Sequence, residues 1–335
     1  MNATESKRPI KIGILGATGL VGTTFLNLLE KSPLDITNLV PFASERSAGQ
    51  QIQFRGKPYT IEVPSKDSLK GLDLVFVSSE ADISEKWAPV AIEQGTFVVD
   101  NSSAFRMDER FPLVVPEVNK HLIQRDKPTI FANPNCSTIQ LMLPLYGISQ
   151  DFTIESVRVA SYQSVSGAGK EAQEELLAQS VKPLEEHTPK AFPHPIAFNT
   201  IPQIGSFLDD GFCSEEDKIM RESRKILNLP DLNISAFTVR VPSLNGHAEA
   251  VWVRLKEDIS KEQFIKALKK VDNLVVMEEG YPVVRQVSGQ TDTYVGRIHQ
   301  DRYDPKTWLF WVVADNLLKG AAWNALQIAE TLYDH

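Results

Sequence analysis

A cysteine set in Asn133-Pro134-Asn135-Cys136-Ser137-Thr138 is the group best placed to do covalent chemistry. It falls where a short apolar run ends and a helical pattern begins. A thiolate at a helix N-terminus is stabilised by the helix dipole and by unpaired N–H groups, which lowers its pKa. The same N–H groups can hold the oxyanion of an attacked carbonyl. A lone cysteine is more often an inert, buried filler, and that is the reading for Cys213. The polar, proline-bent setting marks Cys136 as a nucleophile. No C-x-x-C pair is present, so disulfide exchange is not its chemistry. A nucleophile of this kind needs an acid/base partner, and the histidines are His121, His187, His194, His247, His299 and His335. Only His247 sits in a glycine-bearing turn between two apolar strands, Arg240-Val241-Pro242-Ser243-Leu244-Asn245-Gly246-His247. Nothing in the order of residues brings it to Cys136.

A second chemical feature is Gly16-Ala17-Thr18-Gly19-Leu20-Val21-Gly22, between the β-rich run Ile10–Leu15 and a helical pattern of Phe25, Leu26, Leu28 and Leu29. Gly16 permits a tight turn, Gly19 lets the backbone approach a phosphate, and Gly22 allows close helix–sheet packing. The helix N-terminus then offers N–H groups to a pyrophosphate. The spacing is GxxGxxG, and its strand–turn–helix context favours dinucleotide binding over an idle turn. The cofactor type depends on the end of the second strand, Ser44-Glu45-Arg46-Ser47. Ser44, Arg46 and Ser47 suit the 2′-phosphate of NADP, whereas Glu45 would suit the ribose hydroxyls of NAD. Alternation along an extended segment points Arg46 inward and Glu45 to solvent, which favours NADP.

The elements that must carry these groups follow from the pattern. Short buried strands at Leu39–Ala43, Leu72–Val77, Phe97–Val99 and Thr129–Ala132, with a helix over Ser84–Gln94, make βαβ units and a doubly wound parallel sheet. After Asn135 the pattern changes. Helices are expected over Ser137–Leu145, Lys170–Ser180, Ser214–Leu227 (Ser214 as N-cap) and Lys261–Val271. Strands are expected over Ile154–Ser161, Ser235–Val241, Ala248–Leu255 and Trp308–Ala314, and a long irregular segment over the proline-rich stretch Lys182–Pro202. The fold class is therefore α/β: a Rossmann-type domain over 1–135, joined by a returning C-terminal helix in 317–335, and an α+β domain over 136–316.

Composition bounds the rest. The chain has 335 residues, which suits two domains at roughly 150 residues each. Apolar residues make up 42% and charged residues 23%, so a large core needs neither disulfides nor metals. With 35 basic against 43 acidic residues the net charge is −8, which disfavours general nucleic-acid binding. The longest apolar run, Trp308–Ala314, is far short of the ~20 residues of a membrane span. The N-terminal MNATESKRP has no apolar signal region, so the cytoplasm is expected. No metal site is expected.

Several of these motifs, taken in order, resemble the aspartate-β-semialdehyde dehydrogenase family. They are Gly16–Gly22, Asn133–Thr138, Gln163 ahead of Ser166-Gly167-Ala168-Gly169, Arg240 seven residues before His247, and Asp315-Asn316-Leu317-Leu318-Lys319-Gly320-Ala321-Ala322. The likeness spans residues 10 to 322. It implies reduction of L-aspartyl 4-phosphate by NADPH to aspartate semialdehyde and phosphate. In that scheme Cys136 forms a thioester, His247 is the acid/base group with an imidazole pKa near neutrality, and Gln163 orients the intermediate. Arg240 would clamp the α-carboxylate, and Asn135 would line the substrate site. The family's Glu-x-x-Lys motif falls on Glu215 and Lys218 for the substrate ammonium and phosphate, with Glu216 the competing carboxylate; Arg106 matches a second phosphate ligand. The cofactor residues implied are Gly16, Thr18, Gly19, Leu20, Val21, Gly22, Ser44, Arg46, Ser47, Ser166, Gly167, Gly169 and Asn316. A homodimer joined through the second domain is implied as well. The nearest alternative is N-acetyl-glutamyl-phosphate reductase, which typically has glycine where this chain has Asn135. A non-catalytic Rossmann-type binding protein is the alternative from another class.

Overall fold

In the computed structural model, the residues described are 8–181 and 188–333; His187, His335 and the first part of the expected irregular segment (182–187) lie outside them. Two compact units are formed, one from the residues up to Pro134 together with those from Ala321 onward, the other from Asn135–Gly320. In chain order the first contains β1 (Ile10–Leu15), α1 (Leu20–Lys31), β2 (Ile36–Phe42), β3 (Gln51–Phe54), β4 (Lys57–Thr60), β5 (Leu74–Val77), α2 (Ala81–Glu93), β6 (Phe97–Asp100), α3 (Pro116–Asn119) and β7 (Ile130–Ala132). The second contains α4 (Cys136–Ser149), β8 (Ile154–Gln163), α5 (Lys170–Val181), α6 (Ser214–Leu227), β9 (Asn233–Arg240), β10 (His247–Leu255), α7 (Lys261–Leu268), β11 (Leu274–Val276), α8 (Val284–Val287), β12 (Thr293–Gln300) and β13 (Thr307–Ala314). The last helix, α9 (Trp323–Tyr333), returns to the first unit.

In the first unit the strands pair in parallel in the order β2-β1-β5-β6-β7. Parallel strands need covered faces, and β1 and β5 are apolar along almost their whole length. Helix α1 buries Gly22, Phe25, Leu26 and Leu29, a stripe at helical spacing, and Phe25 stacks on Phe76 of β5 at 3.8 Å. Helix α9 inserts Ala325, Leu326, Ala329 and Leu332 into the same core. The hairpin β3–β4 escaped the sequence reading. Its tip, Arg55-Gly56, has positive φ at both residues, and only the single glycine signals it.

The second unit is built on a mixed sheet in the order β11-β12-β13-β10-β8-β9. Strands β8 and β9 run parallel, while β10 is antiparallel to both β8 and β13. Helix α4 is buried almost all round, as suits a helix in the middle of a domain. It continues through Pro144 to Ser149, four residues past the expected end, because packing on every face outweighs one lost hydrogen bond. Gly147 sets its approach to α7: a methyl there would lie 2.9 Å from the Ala267 carbonyl oxygen. The expected N-cap of α6 is displaced by one residue. Ser214 begins the helix and Cys213 caps it, with the Glu216 carboxylate accepting from the Cys213 N–H at 2.7 Å. Strands β11 and β12 are additions to the expected set. The segment 188–202 follows α5 without regular structure and packs Ile196, Ala197 and Ile201 beside Val165, Ala172 and Leu176.

Candidate active site

The inner face of the mixed sheet changes chemistry towards one end. Inward residues run Val157, Val159, Ser161, Gln163 along β8 and Ile234, Ala236, Thr238, Arg240 along β9. Read backwards, β10 runs Val253, Val251, Glu249, His247. Each strand begins apolar and ends polar at the same edge of the core. The register then sets Arg240, Gln163 and His247 side by side on three neighbouring strands, spaced about 4.8 Å apart.

Cys136 is the first residue of α4, where the helix dipole favours a thiolate. Asn135 is the N-cap: its Oδ1 accepts from the N–H groups of Ser137 (3.0 Å) and Thr138 (3.3 Å). Its Nδ2 donates to Glu215 Oε1 at 2.8 Å and its main-chain N–H to Glu222 Oε2 at 2.7 Å. Gly320 packs on Cys136, since a methyl there would come within 2.8 Å of the Cys136 Cβ. That accounts physically for the glycine of the Asp315–Ala322 motif. Cys136 is partly exposed, whereas Cys213 is buried, and burial pushes the Cys213 thiol up.

Helix α6 presents Glu215 and Lys218 on one face, Lys218 Nζ lying 3.5 Å from Glu215 Oε2. Glu215 Oε1 also accepts from Gln163 Nε2 at 3.3 Å. Glu216 is committed elsewhere, capping α6 and accepting from the Thr238 N–H at 2.8 Å. The doubled glutamate is thus resolved by geometry: only Glu215 faces Asn135 and Gln163. Arg240 is buried, donates from Nη1 to the Ser164 carbonyl at 2.7 Å, and lies over the Phe192 ring at 5.8 Å. Burial pulls its pKa down, and the charges of Glu215 and Cys136 push back.

Two expectations for His247 are corrected. It is the first residue of β10 rather than part of the turn, with Gly246 (φ +85°) completing that turn. Its imidazole is not near neutrality. It is wholly buried, and burial with the adjacent Arg240 charge lowers its pKa to about 3. Ser164, which the sequence reading overlooked, donates its main-chain N–H to His247 Nδ1 at 3.1 Å. Asn316 Oδ1 gathers Ser164 Oγ (3.2 Å), Ser166 Oγ (3.0 Å) and the Gly246 N–H (2.9 Å). Asn316 and Ser166 therefore brace the histidine turn, whatever else they contact. A methyl on Gly167 would sit 3.0 Å from Arg240 Nη1 and 3.2 Å from His247 Nε2, so this glycine forms the wall beside both. Gly169 (φ +93°) closes the loop into α5. Glu222 was also overlooked, although its spacing of seven from Glu215 on α6 places it on the same helix face.

The remaining predicted residues lie in the first unit. Gly16 (φ +82°) turns the chain after β1, and a methyl there would meet the Ser78 carbonyl oxygen at 2.2 Å. Gly22 is equally obligatory, its missing methyl otherwise 2.2 Å from the Gly16 oxygen. Gly19 is the N-cap of α1, followed by Leu20 and Val21, and above it the nearest atom is 3.5 Å away. A glycine cradle with room above it at a helix N-terminus fits a dinucleotide pyrophosphate. A cavity of about 480 Å³ adjoins it, lined among others by Thr18, Ser44, Glu45, Lys86 and Trp87. Here the expected orientation of the second-strand loop is corrected. Residues 45–49 form a turn, with Ser47 N–H bonded to the Ser44 oxygen at 2.9 Å, so extended-chain alternation does not apply. Glu45 lines the cavity, while Arg46 is exposed beside it. Arg106 is buried and donates from Nη2 to the Asn101 carbonyl at 2.9 Å. Among the described residues no cluster of metal-ligating side chains occurs, and no helix is long and apolar enough to cross a membrane.

Residues 11–125 match the family model described as semialdehyde dehydrogenase, NAD binding domain, and residues 145–319 match semialdehyde dehydrogenase, dimerisation domain. The aspartate-semialdehyde dehydrogenase of Aquifex aeolicus is 43% identical, covering 96% of this chain and 97% of its own. That of Bacillus subtilis is 41% identical, covering 97% and 98%. Among solved structures, aspartate semialdehyde dehydrogenase II of Vibrio cholerae, complexed with ASA, superposes with a TM-score of 0.93 at 41% identity, covering 97% of this chain and 98% of that one. With both domains matched and close relatives spanning nearly its whole length, the chain belongs to the aspartate-semialdehyde dehydrogenase family.

Proposed function

We propose that the protein reduces L-aspartyl 4-phosphate to L-aspartate 4-semialdehyde and phosphate, with Cys136 as the covalent nucleophile. The observation that carries this reading is the alignment of Arg240, Gln163 and His247 at one sheet end. Beside it, Glu215 joins Gln163 to the Asn135 cap of the cysteine helix. Each polar group has a use on such a substrate. Arg240 forks onto the α-carboxylate, and Glu215 takes the ammonium. Lys218 draws the phosphate. Gln163, already a donor to Glu215, orients the carbonyl bonded to Cys136. The first unit binds the nucleotide on Gly16–Gly22, and the second serves catalysis and dimerisation. When bound, the nicotinamide supplies the hydride; the chain's own residues hold the thioester carbonyl and its oxyanion. We favour NADP over NAD because Arg46 and Lys86 offer cations at the adenosine end.

The Asn135 side chain, bonded both to the helix start and to Glu215, stands where the N-acetyl-glutamyl-phosphate reductase pattern has glycine, which disfavours that alternative. The outer face of the mixed sheet supports a homodimer: Tyr162, Phe237 and Trp252 project from it, all exposed. A soluble biosynthetic role in the cytoplasm fits this chemistry. The deciding experiment is phosphate- or arsenate-dependent oxidation of aspartate semialdehyde with NADP. Wild-type protein should turn over, Cys136→Ala should not, and iodoacetamide should label Cys136 far faster than Cys213. Retained activity in Cys136→Ala would end the thioester mechanism.

A further inference from the structure

We propose that Phe192 is a substrate-positioning residue whose ring covers the Arg240 guanidinium and holds it as a carboxylate clamp. This deepens the proposed function and rests on Arg240 taking the substrate α-carboxylate. The contact is direct. Arg240 Cζ stands over the Phe192 ring at 5.8 Å from its centre, within the ~6 Å over which an aromatic face attracts a cation. The guanidinium is anchored from Nη1 to the Ser164 carbonyl at 2.7 Å, and Gly167 walls the same nitrogen. An aromatic face takes up positive charge without occupying an N–H. The planar fork therefore stays available for the two oxygens of a carboxylate.

Helix α5 builds the place of the ring. Residues 188–200 form no helix or strand, so their main-chain N–H groups need acceptors from outside a ladder. Glu175 Oε2 accepts from the N–H groups of Lys190 (2.9 Å) and Ala191 (2.8 Å), immediately before Phe192. One turn further along α5, Gln179 Oε1 accepts from the N–H groups of Ile196 (2.8 Å) and Ala197 (3.1 Å). Gln179 Nε2 donates to Glu175 Oε1 at 3.0 Å, which joins the two clamps. Between them Pro193 and Pro195 have no N–H to satisfy and a φ fixed by their own rings.

The far end of the same segment returns to the residue it serves. Ile201 and Arg240 pair as an isolated antiparallel bridge, the Ile201 N–H donating at 3.0 Å and the Arg240 N–H at 2.8 Å. Phe192 is half-buried against the apolar cluster of Val165, Leu176 and Ile196. Burial works against the Arg240 charge, and the ring offsets part of that cost while keeping water from one side of the guanidinium. A residue that only filled the cluster could be any apolar side chain of similar size. One that serves the guanidinium must be aromatic.

Steady-state kinetics of phosphate-dependent aspartate semialdehyde oxidation separate the two cases. Phe192→Ala should raise the KM for the semialdehyde about five- to tenfold, with kcat and the KM for NADP within about twofold of wild type. Phe192→Tyr, which keeps the ring, should stay at the wild-type KM. Phe192→Leu keeps the apolar packing without the ring and should behave like the alanine variant. A leucine variant with the wild-type semialdehyde KM, or losses confined to kcat, overturns the inference while wild-type activity still stands. Should Phe192→Ala fail to fold, the tyrosine and leucine variants decide between them. Arg240→Lys tests the underlying reading: it should raise the same KM strongly, and an unchanged value removes the clamp and this inference together. Wild-type protein inert towards aspartate semialdehyde overturns the proposed function itself.

Discussion

At the scale of single residues, each predicted side chain acquires its meaning from a neighbour. Glu215 and Glu216 are adjacent carboxylates with opposite fates, one facing the cysteine helix and the other tying α6 to β9. In the proposed reading cofactor choice turns on Arg46, because Glu45 lines the cavity beside the glycine loop and its carboxylate would repel a 2′-phosphate. A charge-assisted hydrogen bond contributes roughly 1.5–3 kcal/mol, equivalent to about ten- to a hundredfold in affinity. Arg46→Ala should therefore raise the KM for NADP by about that factor and leave the KM for NAD nearly unchanged. Equal use of NADP and NAD by wild-type protein would refute this assignment of the loop.

At the scale of elements, β10 carries a tension that its neighbours contain. Two residues from His247 lies Glu249, wholly buried, with Gln140 of α4 beside its carboxyl. Burial pushes its pKa up to about 8, so the carboxyl is protonated in the folded protein at neutral pH. Once unfolded it ionises above its ordinary value of 4.5. The unfolded state then binds fewer protons than the folded one, so stability falls as pH rises from 4.5 to about 8 and levels off beyond. His247 has the opposite sign. Its lowered pKa costs stability as pH falls below 6.5 towards 3. Of these two groups only Glu249 contributes between about pH 6.5 and about pH 8, a few kcal/mol at most. Thermal melts across that window should show a declining Tm for wild-type protein and a flatter profile for Glu249→Gln. Parallel profiles for the two proteins would mean that Glu249 is already ionised within the fold.

At the scale of the whole molecule, the proposed homodimer places its interface on the outer face of the mixed sheet. Register places Phe237, Ala160, Ala250 and Trp311 in one row across β9, β8, β10 and β13, and Arg158, Trp252 and Leu309 in the next. Tyr162 packs against Trp311 with ring centroids 5.5 Å apart. Exposed aromatic rows of this kind mark interaction surfaces. Wild-type protein should sediment at twice the 37.4 kDa chain mass. The double change Phe237→Asp with Trp252→Lys should shift it to monomer, read by analytical ultracentrifugation. A double variant that remains dimeric would move the interface elsewhere.

The sequence by itself determined much of what depends on local order. Gly16 and Gly22 between a strand and a helix mark the loop read as a nucleotide cradle, because a methyl at either would meet a backbone oxygen at 2.2 Å, while Gly19 leaves the helix start open. Asn135 ahead of Cys136 marks a capped helix start, since its side chain satisfies N–H groups two and three residues on. Strands over Ile154–Ser161 and Ser235–Val241 were likewise legible, the first expected to end two residues short of Gln163. What only the tertiary structure decided is pairing at long range. That His247 lies beside Gln163 follows from an antiparallel register between residues more than 80 apart, which no local pattern encodes. The turn after Ser44 was misread because a hydrogen-bonded turn and an extended strand place the same side chains on different sides. The charge state of His247 is a third case. Burial and a neighbouring Arg240 set it, and both arise only when strands distant in the chain are folded against one another.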